Sequence, residues 1–484
     1  MREWAPQLAQ KRISWAASTL WLGFLLLAIV LADSRPATAL PLTRTNVYAL
    51  PAFARKYGMP CSSCHEAWPK LSPFGQSFKD NGYQMGNDRD APIFQQPAYW
   101  PVTFRITPIW HRESINRVGV DGPTPGSTVE AQVTTHGFDW TGLDFHTAGT
   151  LAKNFSFYVL PSSDNTGAFH FEAVWTRFDN LFGSTWLNLK VGKFELDNLQ
   201  SEKRTLTLST VGGGYQNYHF QPFGESTYKL GIGDNQVGVE LMGHSKNDRT
   251  RYSVSLLSSN DGTQGLPTSR GYDTFLAASQ GFEVGSLGMQ RVGAFAYIGQ
   301  APTFFQYTQT TTTPVGTDIN GNPVTNTSVG NVAGTGIGNK GFYRAGLIGM
   351  WYIKKLDLTT MYFHGWDSAF LGTSTAANTA LPAGAQAPTW NGGLFETHYT
   401  LNPQLIFINR YELIRMSRQA FTANPGDLGN IDVLTFGYRY YPFISSRAGF
   451  AFHNEFAILR QRGASLNGLD LTSSSLLIGF DFAF

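Results

Sequence analysis

From about residue 100 to the C-terminus, short segments alternate an apolar residue with a polar one. In 102–110, Val102, Phe104, Ile106 and Trp110 alternate with Thr103, Arg105 and Thr107. In 187–191, Leu187, Leu189 and Val191 alternate with Asn188 and Lys190, and in 252–257 Tyr252, Val254 and Leu256 alternate with serines. The period recurs in 169–176, 434–441 and 450–458, with Phe169, Phe171, Ala173 and Trp175 assigned to one face of the first of these. A period of two belongs to strands whose two faces meet different surroundings. A water-soluble sandwich or β-helix also alternates. Here the apolar face is loaded with Phe, Tyr and Trp, as at lipid interfaces, while Arg105, Glu172, Lys190, Arg439 and Glu455 take the other face, as a polar lumen requires. Only 14% of residues are charged and 14% are aromatic. The last strand sets Leu476, Ile478, Phe480, Phe482 and Phe484 on one face. The expectation is a mainly β fold: a transmembrane antiparallel β-barrel of about 16 strands in 96–484. The Thr/Asn/Gly-rich stretches 301–340 and 367–393 are expected as long loops.

The N-terminus reads as an export signal over 1–39. Arg2, Lys11 and Arg12 precede an apolar run from Trp15 to Ala32, and Ala37-Thr38-Ala39 offers a small-residue cleavage site. An uncleaved anchor is the competing reading of so long a run. Removal of the leader leaves 32 basic and 32 acidic residues. That balance gives no electrostatic footprint for nucleic acid.

The chain has two cysteines, both in Cys61-Ser62-Ser63-Cys64-His65. C-x-x-C-H is the attachment signature of c-type haem. Two thiols add to the two vinyl groups of one porphyrin, and the adjacent imidazole ligates the iron. A structural zinc site would need further ligands at finger spacing, and no other cysteine exists. A redox C-x-x-C belongs beside a βαβ pattern, which is absent. The expectation is one covalently bound haem c on Cys61 and Cys64, with His65 as proximal iron ligand. Met85, the nearest downstream methionine, is the candidate distal ligand; Met59 is too close to the first thioether to reach the far face. Residues 40–95 would then form a small α-helical cytochrome domain, below the size at which a core alone suffices. It would gain from lodging in or at the barrel lumen. His111, His136, Arg410 and Glu412 read as lumen fillers.

Residues 49–75, ALPAFARKYGMPCSSCHEAWPKLSPFG, resemble the signature of the fused monohaem cytochrome–porin family of bacterial outer membranes. Its elements are present as Ala49, Pro51, Phe53, Ala54, Arg55, Gly58, Cys61, Cys64, His65, Pro69, Leu71, Phe74 and Gly75. The order of signal, single haem and barrel extends the resemblance over the whole chain. It implies an outer-membrane Fe(II) oxidase. Extracellular Fe(II) would be the donor, and a periplasmic cytochrome c or copper protein the acceptor. Two other functions fit the same architecture: an electron conduit with a different extracellular redox partner, and a diffusion channel with a structural haem plug.

Overall fold

A computed structural model describes residues 53, 57, 59, 61–67, 70–85, 102–163, 166–202, 205–222, 232–258, 272–317, 319–420, 430–444, 449–464 and 467–483. The leader, most of 40–60, Trp68, residues 86–101 and Phe484 lie outside that set. The described part of the N-terminal region holds a helical turn α1 (Cys61–Cys64), a two-stranded ribbon β1 (His65–Ala67) and β2 (Lys70–Leu71), and a helix α2 (Pro73–Asp80). Sixteen strands, β3 (Val102–Asp121) to β18 (Leu471–Ala483), then pair antiparallel in chain order. β18 pairs with β3 and closes the barrel.

The alternation is read out as two environments. On β17 (Gly449–Gln461), Ala451, His453, Glu455 and Ala457 are buried toward the lumen, whereas Phe452 and Phe456 are exposed on the outer wall. On β18, Leu477 and Asp481 are buried while Leu476, Ile478 and Phe480 face outward. The inner face is densely charged. Arg105 meets Asp481 at 3.0 Å and Asp144 at 3.3 Å, and Arg439 meets Asp481 at 2.8 Å. Lys190 lies against both Asp197 and Glu240. Buried charges persist when paired in this way.

Three features depart from the sequence reading. First, β6 (Phe169–Phe178) does not keep one face. Its partner β5 (Phe155–Ser163) pairs Leu160 with Ala173 and then Pro161 with Phe171, so Glu172 is a bulged extra residue. One extra residue exchanges the faces of everything beyond it. Phe169 and Phe171 are therefore exposed, whereas Ala173 and Trp175 are buried in the lumen. Second, 301–340 is not a loop. β11 (Met289–Thr317) and β12 (Pro323–Ile353) run on through it as one hairpin. In the strand ladder, Gln300–Thr317 and Pro323–Gly341 pair only with each other, because β10 (Asp273–Glu283) ends its pairing at Ile298 and β13 (Leu356–Asp367) at Phe342. Thr-rich and Val-containing sequence with few charges suits a pleated ribbon. The other stretch, before β14 (Thr389–Asn402), carries one helical turn at Ala369–Gly372 and otherwise is a loop. Third, His136 is no lumen filler. It pairs with Arg112, which pairs with outward-facing Leu476, and it is exposed. His111, Arg410 and Glu412 do face inward, as read: His111 pairs with buried Leu477, and the other two are buried.

The two barrel ends differ. At one, adjacent strands are joined by short turns, such as Lys153–Asn154, 245–249, 284–288, Lys354–Lys355 and 403–404. At the other, most connections are longer, although 122–127, 164–168 and 318–322 span only five or six residues. The longest spans 195–235 between β7 (Asn188–Phe194) and β8 (Gln236–His244), and its described residues enter the lumen. Its Leu208 and Ser209 backbone N–H groups donate to Glu455 at 2.7 and 3.2 Å, and Gln216 N–H donates to Glu412 at 3.2 Å. Glu412 lies on β15 (Leu405–Arg418), eight places round the ring from β7, so the segment crosses the full diameter.

Candidate functional site

The residues around the C-x-x-C-H motif fold as a tight unit. Ser72 caps α2: its Oγ accepts from Gly75 N–H at 3.1 Å, with Pro73 at the first helical position. Such a cap and N1 proline together define a helix start. The same Ser72 ties the helix to the motif, since its backbone N–H donates to Cys64 O at 2.8 Å and its Oγ donates to Ser63 O at 3.0 Å. Gly75 is dictated by this approach. A Cβ there would lie 1.9 Å from Cys64 O. The helix ends through Gly82 at φ +76°, where a Cβ would meet the Asp179 carboxyl at 2.9 Å.

This unit sits inside the barrel at its short-turn end. Lys70 is the first anchor. Its ammonium contacts Asp357, is 2.9 Å from His398 Nδ1 and 3.2 Å from Glu66. Burial pushes the Glu66 carboxyl up to about 8, against the pull of Lys70. Burial would lower Lys70, but Asp357 and Glu66 hold it well above the ordinary lysine range. Lys79 is the second anchor, 2.7 Å from Glu195 and 3.1 Å from Asp197. Although burial opposes ionisation of Asp197, Lys190 and Lys79 hold it well below the usual carboxylate range. Arg177 donates to Lys79 O at 2.7 Å, Arg251 meets Asp80 at 3.3 Å, and Ser77 bonds to Asp248. Aromatic contacts complete the seat. Tyr83 stacks on Phe53 at 4.9 Å and on Trp175 at 6.1 Å between centroids, and Phe78 packs edge-on to Phe53 and Tyr57.

Positions 61 and 64 are one helical turn apart on α1, and His65 follows directly. Cys64 is a half-buried free thiol whose pKa burial pushes up. Two cysteines three positions apart followed directly by a histidine are the residue types that a c-type haem would require. Met85 lies at the C-terminal end of the described unit with 36% of its surface exposed. Sequence reasoning found the motif but missed its seat. Trp175 was assigned to the face opposite the charges, and the lumen-crossing segment was not foreseen. The 41 residues between two strand patterns at 194 and 236 were its available signal.

No protein-family model matches the chain, and no curated protein sequence matches it. Solved barrel structures do. The anion-selective porin from Comamonas acidovorans is 11% identical, with a TM-score of 0.45 over 79% of this chain and 99% of its own. OmpT of Vibrio cholerae is 10% identical, with a TM-score of 0.43 and coverage of 79% and 99%. The outer membrane channel DcaP of Acinetobacter baumannii is 10% identical, with a TM-score of 0.44 and coverage of 79% and 97%.

Proposed function

We propose that this chain is an outer-membrane c-type cytochrome that oxidises extracellular Fe(II) and delivers single electrons to a periplasmic carrier. The observation that carries the reading is the seat of the C-x-x-C-H unit inside a closed barrel, anchored through Lys70 and Lys79 to buried acids of the lumen. An outward belt of exposed Phe, Leu and Ile on strands with charged inner faces supports a membrane setting. Short turns on the periplasmic side are the rule for such barrels, which orients the motif unit toward the periplasm. Cys61 and Cys64 would carry the two thioether links, His65 would ligate the iron, and Met85 is the candidate for its far side. A haem c bound there would supply a one-electron couple, matching the one-electron oxidation of Fe(II). The chain's own part is to hold that couple in the membrane plane. The unit and the crossing segment both fill lumen space, which favours electron passage over solute passage. The test is stopped-flow absorbance of the purified holoprotein mixed with Fe(II) at its working pH, with the reduction potential measured on the same sample. Reduction within seconds is expected. A ferric haem that stays oxidised refutes Fe(II) as donor, and absence of covalent haem refutes the cytochrome reading.

A further inference from the structure

We propose that Glu202 and His219, on the outward side of the segment that crosses the lumen, bind the Fe(II) donor; this rests on the Fe(II)-oxidation reading above. His219 Nε2 and Glu202 Oε2 lie 2.6 Å apart, and the imidazole is 43% exposed. The next residue, Phe220, packs edge-on to Trp390 at 5.1 Å between ring centroids. Trp390 is the second residue of β14, at the long-connection end of the barrel. The pair therefore lies toward the end that the short-turn rule makes extracellular.

The carboxylate is held and closely approached. Glu202 Oε1 accepts the Tyr215 backbone N–H at 2.8 Å, which fixes the group and turns Oε2 to His219. Two glycines fence it. A Cβ at Gly214 would strike Oε1, and one at Gly233 would strike Oε2 and lie 2.9 Å from His219 Nε2. Neither glycine has a positive φ, so it is the close approach that calls for glycine here. A carboxylate oxygen with an imidazole nitrogen is a donor pair that suits Fe(II). Bonds of about 2.1 Å at a right angle would set the two atoms about 3.0 Å apart, so an ion can replace the shared proton with a small opening of the pair. Two protein ligands leave the other positions to water, which lets a substrate ion come and go. The three-ligand group Glu66, Asp357 and His398 is no rival, because the Lys70 ammonium already sits among its atoms.

The pair is also joined to the motif unit. Tyr215, whose backbone positions Glu202, is fully buried and donates through its hydroxyl to Glu396 at 3.3 Å. Glu396 is 2.9 Å from His398, and His398 is 2.9 Å from the Lys70 ammonium. One tyrosine and two lumen side chains thus lead from Glu202 to the first anchor of the C-x-x-C-H unit. An ion at Glu202 and His219 is open to solvent on one side and tied through contacts to that unit on the other.

The test uses the full holoprotein in phosphatidylcholine nanodiscs, with its haem chemically reduced under argon so that added Fe(II) is not consumed. Mn(II) is the probe, followed by loss of its free EPR signal, and Fe(II) is the competitor. One Mn(II) per barrel should bind, be displaced by Fe(II), and show spin-echo coupling to a directly bound imidazole nitrogen. Glu202→Gln and His219→Gln should each weaken binding at least tenfold, and His219→Gln should abolish the nitrogen coupling. Both should raise the Fe(II) concentration that half-saturates haem reduction. Heat-modifiable gel mobility checks that each variant barrel is folded. Absence of nitrogen coupling in the unmodified protein overturns the proposal without recourse to any variant, and so does Mn(II) binding that both substitutions leave unchanged. The two readings fail separately. Haem reduction by Fe(II) in a protein with no such site refutes the site alone. Imidazole-bound Mn(II) in a protein whose ferric haem stays oxidised with Fe(II) upholds the metal site and refutes Fe(II) as donor.

Discussion

Gly75→Ala is the smallest change that should separate the motif unit from its function. The added Cβ would sit 1.9 Å from the Cys64 carbonyl oxygen, where contacts below 3.0 Å are essentially never seen. The backbone of α2 and that of α1 must part by about 1 Å. The atom struck is backbone and cannot rotate away. It also accepts the Ser72 N–H, so separation strains or breaks that bond. Overpacking costs about 1–3 kcal/mol and a lost hydrogen bond about 1 kcal/mol. Together they give about 2–4 kcal/mol, a factor of roughly 30 to 1,000 on the population of correctly formed motif unit. The barrel does not touch this contact, so it should still assemble. The assay is covalent haem per barrel, from the pyridine haemochrome spectrum against heat-modifiable mobility on a gel. The expected result is a normally folded barrel with haem content strongly reduced. Full haem content with an unchanged spectrum would refute the packing argument.

Other outcomes follow from the same contacts. Lys70→Met leaves Asp357 and Glu66 buried without their cation, a loss of about 3–5 kcal/mol for a broken buried pair, and should expose the motif unit to limited proteolysis while the barrel persists. Deleting Glu172 removes the bulge yet leaves Phe171 opposite Pro161 and Ala173 opposite Leu160 as consecutive pairs on their present faces, so Trp175 and Arg177 should stay in the lumen and assembly in bilayers should persist; a collapse of assembly yield would refute the bulge assignment. Asp197 has a lowered folded-state pKa, so its contribution is complete above the ordinary carboxylate value of about 4 and is lost as pH falls through the lower folded value. Protease resistance of the unit should therefore hold near that pH and fail only in stronger acid, and Asp197→Asn should remove that late transition. Met85→Ala should change the haem spectrum and lower the potential if Met85 is axial; an unchanged spectrum would rule it out.

The sequence by itself determined the barrel and set out the motif on which the proposed cofactor chemistry rests. A period of two, with rings on one face and charges on the other, leaves a strand few other places to lie. Two cysteines three apart before a histidine restrict the donor set in the same local way. These signals are carried by neighbours along the chain, which is why the described residues of β17 and β18 keep the faces read for them, Phe484 lying outside the described residues. What only the tertiary structure decided depends on pairing between distant residues. The bulge at Glu172 is visible only against β5, yet it reverses the roles of Phe171 and Trp175. The ribbon 300–341 exists because two stretches of loop-like composition find each other in register. The crossing segment is held by Glu412 and Glu455, some 200 residues further on. Lys70 and Lys79 look like solvated charges in sequence. They become anchors because the closed ring brings Asp357, Glu195 and Asp197 to them in a space from which most water is excluded, where an unpaired ion is too costly to leave.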